Sequence, residues 1–235
     1  MALCRALSSD FLTTEEGGRR VRVRTFATRP EGRVYIYLRM TATVLLAVAG
    51  YLVGAVPTGL VFGKLAGVDP RLVGSGRVGA TNTYRALGLP ASIAVAVIDA
   101  LKGAAMAYLG LRYATGDWGL AAVVLATVLG QVYSIFLLAQ GGRGVATTAG
   151  ASLVLWPLAL LPAAIIGAVT GWRTRIVSTG SLVAAVALPV FVYLLTENLP
   201  RSLLALALGA LLWVSHRDNL KRLRAGSEPR LGHPA

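Results

Sequence analysis

The sequence has little charge, one cysteine and two histidines. Only 14% of its 235 residues are charged, against roughly a quarter in a soluble domain. The single cysteine, Cys4, excludes an intrachain disulfide. His216 and His233 with one distant cysteine form no metal-binding pattern. No Gly-x-Ser-x-Gly nucleophile elbow is present. We therefore expect no metal, no cofactor and no serine-hydrolase chemistry.

Apolar residues and positive charge dominate what remains. Hydrophobic residues make up 55% of the chain, and the mean hydropathy is +0.66. Because helices satisfy their own backbone hydrogen bonds in lipid, this composition predicts an all-α, polytopic membrane helix bundle. The net charge is +13. Its distribution around apolar runs favours membrane orientation and attraction to phosphate or anionic lipid over binding of nucleic acid.

The apolar runs predict about seven transmembrane helices. They lie at 42–63, 91–111, 119–138, 145–157, 158–172, 180–195 and 202–215. The pair 145–157 and 158–172 forms either one long kinked helix or two short ones. Charge counting favours two, because twelve Lys and Arg then lie on one side, against only Arg112 and Arg201 in the opposite short loops. The positive-inside rule places the twelve-cation side, which carries every polar motif, in the cytoplasm.

The first 39 residues differ from the rest. They hold eight arginines, four acids and no apolar run of spanning length. We expect residues 1–39 to be a disordered or loosely ordered basic extension, residues 40–228 a single membrane domain, and residues 229–235 a tail. An outside N-terminus conflicts with the eight arginines, so either the extension is not real and Met40 is the start, or the count of spans is off by one. An intact mass that includes residues 1–39 would exclude a start at Met40.

A glycine-rich segment between the first two spans predicts a phosphate site. It reads GSGRVGATNTYR from Gly74 to Arg85. Glycines allow backbone N–H groups to form an anion-binding concavity, and arginine pairs with phosphate through two N–H groups. The alternative is a flexible surface loop. The predicted contacts, made by backbone, hydroxyl, amide and guanidinium groups, are Gly74, Ser75, Gly76, Gly79, Thr81, Asn82 and Arg85.

A second glycine-rich turn leads directly into an apolar helix. It reads GGRGVAT from Gly141 to Thr147. Free N–H groups and the helix dipole bind anions at such a position, and Arg143 adds a fixed charge. We expect Gly141, Gly142 and Gly144 to bind substrate. The alternative is a short turn that carries an orienting arginine.

Two further loops and one intramembrane pair are candidate sites. In a helix, His216 and Asn219 share a face, where they can bind a polar substrate or relay a proton. The alternative is that the segment is only a basic anchor at the lipid headgroups. Ser178 lies among hydroxyls and arginines between Arg173 and Ser181. Asp99 and Lys102 form either a site, in which Lys102 binds substrate, or a structural ion pair.

Five segments together resemble a known family. They read GSGRVGATNTYRALG, DALKG, GGRGVATTAG, TRIVSTGS and HRDNLKRLRAGSE, in this order between residues 51 and 228. They are similar to the bacterial integral-membrane acyl-phosphate:glycerol-3-phosphate acyltransferases. The resemblance implies a seven-helix bundle in the cell (inner) membrane with its active site facing the cytoplasm. It also implies transfer of a fatty acyl group from long-chain acyl phosphate to the 1-hydroxyl of glycerol 3-phosphate, which forms lysophosphatidate and phosphate.

The resemblance also implies site residues. The positions that match the family's functional residues are Ser75, Arg85, Arg143, Ser178, His216 and Asn219. Two positions depart from the family pattern, since Gln131 stands where many members have histidine and Arg143 where lysine is usual. Rate or affinity for acyl phosphate is expected to differ, because arginine and lysine are not interchangeable.

The implied mechanism is direct transfer in a ternary complex, since acyl phosphate is already activated. Either His216 or the substrate phosphate accepts the proton. We expect a monomer that contacts membrane lipid. A transporter for a phosphorylated small molecule is the rival function, because anion-binding loops and intramembrane charges suit both. A catalytically inactive relative is the third possibility.

Overall fold

The computed structural model describes residues 11–16, 19–24 and 30–230. These residues form a short β-hairpin and ten α-helices. The strands are β1 (Phe11–Glu16) and β2 (Arg19–Arg24). The helices are α1 (Pro30–Ala55), α2 (Thr58–Leu65), α3 (Ala80–Leu87), α4 (Leu89–Tyr113), α5 (Gly116–Val132), α6 (Val145–Leu155), α7 (Pro157–Thr174), α8 (Val177–Thr196), α9 (Leu199–Ser215) and α10 (Arg217–Arg224). Single 3₁₀ turns lie at Pro70–Leu72 and Ile135–Leu137.

The described N-terminal residues form a hairpin and the start of α1. In the antiparallel hairpin, Glu15 is paired in register with Arg20 and Glu16 with Arg19. Helix α1 begins ten residues before Met40 and so runs through position 39. The division into residues 1–39, 40–228 and 229–235 stays a prediction. Residues 1–10, 17–18, 25–29 and 231–235 lie outside the described part of the chain, and with them most of the predicted tail.

Arg39 shows why the helix extends toward the N-terminus. Its Nη2 donates to the carbonyl oxygens of Arg112 at 3.2 Å and Ala114 at 2.7 Å. These carbonyls lie at the C-terminal end of α4, where backbone acceptors lack helical partners. The arginine that the sequence assigned to a loose extension thus caps α4.

Each predicted span contains a helix, but the helices differ in length. Four stretches are long and apolar enough to cross a membrane, namely Arg33–Leu65, Leu89–Tyr113, Gly116–Leu137 and Val177–Thr196, or five if α9 and α10, which meet at a bend of 57°, count as one. The predicted division near Trp156 is confirmed, because α6 ends at Leu155 and α7 begins at Pro157. With 11 residues, α6 rises about 16 Å, short of a hydrocarbon core of about 30 Å. The count of seven spans stays a prediction.

Glycines allow the helices to pack closely. A Cβ on Gly103 of α4 would overlap the carbonyl oxygen of Thr147 on α6, and one on Gly150 of α6 would overlap that of Ala100. The pairs α1–α5 and α7–α8 use glycines in the same way. Small residues at helix contacts are typical of membrane bundles, where van der Waals packing replaces the hydrophobic effect between helices.

The helix directions bring the polar segments to one end of the bundle. The connections α2–α3, α5–α6 and α7–α8 and the segment after α9 all line a single cavity. The other end holds the α4–α5 and α8–α9 turns, where Arg201 pairs with Asp117 at 3.2 Å. Between the two ends, Val124, Val128 and Leu208 belong to the apolar core. Many large apolar side chains on the outside are exposed, as a lipid-facing surface requires.

Candidate active site

A polar cavity of about 260 Å³ opens at the end of the bundle where the motifs meet. All four predicted loop motifs contribute to its lining, as does Asp99 from α4. The predicted site residues that line it are Ser75, Gly79, Thr81, Asn82, Arg85, Arg143, Gly144, Ser178, His216 and Asn219. Gly74, Gly76, Lys102, Gly141 and Gly142 do not line it. Stretches separated by more than 140 residues therefore share one pocket.

Asn82 shapes the first glycine-rich segment. Its Oδ1 accepts from the Ser75 N–H at 2.9 Å, and its Nδ2 donates to three loop carbonyls, those of Pro70, Val73 and Arg77, at 2.7–3.0 Å. Gly74 folds beneath it in the left-handed region, with φ of 55°. Since its polar atoms are all engaged, Asn82 holds the loop in shape. That Asn82 binds substrate stays a prediction, and its contacts favour a role in shaping the loop.

Arg85 is a charge without a fixed partner. It projects from α3, half-buried, and makes no hydrogen bond or ion pair within the described part of the chain. Burial lowers its pKa from the ordinary value, an effect that Glu228 opposes and Arg222 reinforces. An arginine still remains protonated at neutral pH. Arg85 is thus available to an anion in the cavity.

The second glycine-rich turn uses different amides from those predicted. The N–H groups of Gly141 and Gly142 donate to the carbonyls of Val132 and Gln131 at 3.2 and 2.8 Å. In this conformation the two N–H groups are engaged, so substrate binding by Gly141 and Gly142 stays a prediction that these bonds do not favour. Gly144, with φ of 79°, turns the chain into α6. The first N–H groups of α6, from Val145 to Thr147, line the cavity and have no intrahelical acceptor.

Arg143 lies between these amides and the last helix. Its Nη1 donates to the Ser215 carbonyl, while its Nη2 is buried without a partner. Burial, with a smaller contribution from Arg77, lowers its pKa to about 10, so the group stays charged at neutral pH. Arg77 itself is held by Asp218 at 3.2 Å. The cavity therefore contains a half-buried cation whose Nη2 is free for a ligand.

His216 is buried and neutral. Its Nδ1 lies 2.8 Å from the Leu212 carbonyl. Since a carbonyl only accepts, Nδ1 carries the proton and Nε2 presents a lone pair. Burial lowers the pKa to about 4, the carbonyl opposes this, and Arg143 adds to the lowering. His216 is therefore a hydrogen-bond acceptor at neutral pH and a weak base.

Glu228 closes the cavity on the α8–α10 side. Its carboxylate accepts from Ser178 Oγ at 2.8 Å, from Asn219 Nδ2 and from Arg222 Nε at 2.7 Å. Burial alone would raise its pKa, but these hydrogen bonds outweigh burial and the pKa lies below its usual range. Sequence reasoning missed Glu228, although it ends the last of the five segments. It also missed Arg77, Thr147 and Ser181, which line the cavity.

Lys102 belongs to a separate buried cluster below the cavity. Its Nζ donates to the Val56 carbonyl and Thr58 Oγ1, both at 2.6 Å, and to Asp99 Oδ1 at 2.8 Å. Asp99 Oδ2 accepts from Gln131 Nε2 at 2.8 Å. The ammonium group has no donor left for a phosphate. That Lys102 binds substrate stays a prediction, and these contacts favour the alternative of a structural ion pair.

Fold and cavity together define a class: a helical membrane protein with a polar cavity, lined by arginines, at one end of the bundle. Comparison with known proteins identifies the family. The family model described as glycerol-3-phosphate acyltransferase matches residues 44–226. The chain belongs to the glycerol-3-phosphate acyltransferase family and is an enzyme of that class.

Individual relatives agree. The chain is 43% identical over 193 residues to a glycerol-3-phosphate acyltransferase of Symbiobacterium thermophilum, covering 82% of this chain and 96% of the relative. It is 42% identical to one of Thermus thermophilus, with 82% and 97% covered. A crystal structure of PlsY (YgiH), an integral membrane glycerol 3-phosphate acyltransferase in its glycerol 3-phosphate form, superimposes with a TM-score of 0.77 at 36% identity, covering 81% of this chain and 96% of that one. The membrane fold is thereby confirmed.

Proposed function

We propose that the enzyme transfers a fatty acyl group from long-chain acyl phosphate to the 1-hydroxyl of glycerol 3-phosphate, forming 1-acyl-glycerol 3-phosphate (lysophosphatidate) and phosphate, the first step of phospholipid synthesis. One observation carries the proposal. The cavity holds the guanidinium of Arg85 and the free Nη2 of Arg143, and it shares lining residues with an apolar groove. Such a site suits a reaction between two phosphorylated substrates, one of which carries an acyl chain.

The acyl chain would lie in the groove. It has a volume of about 460 Å³ and runs between α6, α7 and α8. Small and apolar residues line it, Ala163, Gly167 and Leu188 among them. Val145, Val177 and Ser181 line both the groove and the polar cavity. The reacting carbonyl would therefore lie at their junction, close to the first turn of α6.

The donor phosphate would bind at that turn. Arg143 Nη2 and the N–H groups of residues 145–147 supply donors, and the positive end of the α6 dipole adds to the attraction. As the acyl–oxygen bond breaks, negative charge grows on the departing phosphate, and preorganised donors stabilise that charge most. Arg85 and Ser75 would hold the phosphate of glycerol 3-phosphate.

The attacking hydroxyl forms an ester bond with the acyl carbon while the bond from that carbon to the phosphate oxygen breaks. The hydroxyl proton needs an acceptor. His216 Nε2 has a lone pair, but a pKa of about 4 makes it a weak base. We assign His216 the role of orienting the hydroxyl, and the departing phosphate the role of taking the proton.

The membrane arrangement follows from charge. We place the chain in the cell (inner) membrane with seven spans, the cavity facing the cytoplasm, and a monomer as the functional unit. The excess of Lys and Arg at the cavity end supports this orientation. Transporters keep their sites near the bilayer midplane, whereas this cavity lies at an end of the bundle, which supports the enzyme over the transporter.

A reconstituted assay tests the proposal. Purified protein in detergent receives glycerol 3-phosphate with either palmitoyl phosphate or palmitoyl-CoA, and lysophosphatidate and phosphate are measured. We expect turnover with palmitoyl phosphate. Ser75→Ala should lower the rate of turnover about 10²–10³-fold. The control Ser202→Ala, at the opposite end of the bundle, should keep the parental rate. Turnover with palmitoyl-CoA alone would refute the donor. Uptake of glycerol 3-phosphate into proteoliposomes without acylation would favour the transporter.

A further inference from the structure

Glu228 determines which polar atoms face the substrate. It is only 8% exposed and sits against Ser178 and Asn219, two residues of the cavity wall. An ionised carboxylate can only accept hydrogen bonds. Each neighbour must therefore turn a donor toward it, and whatever atoms remain are left for the cavity.

The remaining atoms are acceptors. Asn219 gives its Nδ2 to Glu228, which leaves Oδ1, and this oxygen is buried without a partner. Ser178 gives its only proton to Glu228, so its Oγ keeps only lone pairs. His216, whose Nδ1–H is used by Leu212, adds Nε2 as a third acceptor. Among those three side chains, only the second N–H of Asn219 Nδ2 remains as a donor, against three acceptor atoms.

Other groups of the same cavity are donors. They are Arg85, Arg143 and the first amides of α6. A ligand that meets both sets of groups carries a phosphate for the donors and hydroxyl protons for the acceptors. Glycerol 3-phosphate has both, with two hydroxyls for the acceptors.

We propose that Glu228 is a positioning residue that makes Ser178 and Asn219 acceptors for the hydroxyls of the acyl acceptor, so that the enzyme selects a polyol phosphate. The inference rests on the proposed function in its choice of acceptor substrate. It differs from a packing role for Glu228, because it fixes the direction of a hydrogen bond that faces the substrate.

Exchanging the two groups tests that direction. Asn219→Asp alone sets two carboxylates against each other and should raise the KM for glycerol 3-phosphate at least about tenfold. In the double variant Asn219→Asp with Glu228→Gln, the new amide at 228 donates to the new carboxylate at 219. An acceptor oxygen again faces the cavity. We expect the thermal midpoint to return to within a few degrees of the parent. The KM for glycerol 3-phosphate and the affinity for it measured by calorimetry should return to within about threefold.

The inference is overturned if the double variant regains the parental thermal midpoint but binds glycerol 3-phosphate no better than Asn219→Asp. That result would mean that the cavity needs a donor from residue 219. Ser227→Ala, an exposed serine in the same segment, is the matched control. If acyl phosphate is not the donor, the parent shows no turnover with it. The binding comparison still holds in that case, because calorimetry needs no acyl donor.

A second measurement applies if the double variant does not fold. Glu228→Gln alone frees Asn219 to present either end of its amide. The parent should prefer glycerol 3-phosphate over 3-hydroxypropyl phosphate, which lacks the 2-hydroxyl, by about tenfold or more in kcat/KM or in affinity. In Glu228→Gln we expect this preference to fall to about twofold. An unchanged preference would contradict the positioning role.

Discussion

Two buried polar clusters lie side by side in this molecule and differ in how their atoms are used. Around Lys102 and Asp99, the charged atoms have partners within the bundle. In the neighbouring cavity, Arg143 Nη2, Thr147 Oγ1 and Asn219 Oδ1 are buried without one. A buried polar group without a hydrogen bond costs about 1–3 kcal/mol. These three atoms are therefore candidates to bind a ligand in the cavity.

Gln131 joins the two clusters. Its side chain donates to Asp99, and its backbone carbonyl accepts from Gly142, next to Arg143. Gln131 also lines the cavity. The partnered cluster can therefore position the turn that carries the unpartnered cation. Intramembrane charge here supports the site without contacting the phosphate.

The largest expected effect comes from breaking the partnered cluster. Lys102→Met leaves Asp99 buried without its countercharge, which should destabilise the protein by about 3–5 kcal/mol. Unfolding by denaturant in detergent measures this. Replacing both residues, Asp99→Leu with Lys102→Met, should recover at least half of the loss. The exposed Lys64→Met should change nothing. An equal loss in the double variant would show that the pair is not the source.

The cavity should respond in the opposite way. Arg143→Gln removes a donor aimed at the departing phosphate, so kcat/KM should fall about 10²–10³-fold. Its stability should hold or rise, since a buried uncompensated charge is lost. Arg143→Lys, which keeps the charge, should retain activity to within about tenfold, and the exposed Arg173→Gln should match the parent. If Arg143→Gln were destabilised by several kcal/mol, Arg143 would stabilise the fold as Lys102 does, and the two clusters would not differ in this respect.

Helix packing links the two clusters and gives a smaller effect. In Gly103→Ala, one residue from Lys102, the new methyl would overlap the carbonyl of Thr147 on the cavity wall. Overpacking of this kind costs about 1–3 kcal/mol, and displacing α6 should raise the KM for acyl phosphate several-fold. Ala105→Val, which enlarges a side chain on the exposed face of the same helix α4 and lines neither the cavity nor the groove, is the control. Equal KM values for acyl phosphate in the two variants would show that packing at Gly103 does not affect the site.

The sequence predicted what depends on composition and spacing. Apolar runs located the helices, and charge counting favoured two helices over one at the division near Trp156. The convergence of the polar motifs also followed, because alternating spans bring every second loop to the same end. The N-terminal start of α1 was missed, since Arg33 and Arg39 interrupt the apolar pattern there while Arg39 caps α4.

The sequence could not predict which polar atoms remain free. Asn82, Gly141, Gly142 and Lys102 have the right chemistry for phosphate, yet local partners already engage them. That depends on distances of a few tenths of an ångström after the helices pack. Glu228 was missed for the complementary reason, because an acid is not expected in a site for anions until its donor partners are known.

The smallest effect concerns His216 and needs a spectroscopic measurement. With a pKa of about 4 in the fold and about 6.5 in the unfolded chain, the imidazole stays neutral in the cavity. Between these values the unfolded chain takes up a proton that the folded chain does not, so His216 makes the fold less stable as pH falls from about 6.5 to 4. The chain has only one other histidine, His233. In His233→Ala labelled with ¹³C-histidine, the single imidazole resonance should titrate near pH 4. A midpoint near 6.5 would instead mean that Arg143 and burial do not hold His216 neutral, and that His216 itself is basic enough to take the hydroxyl proton.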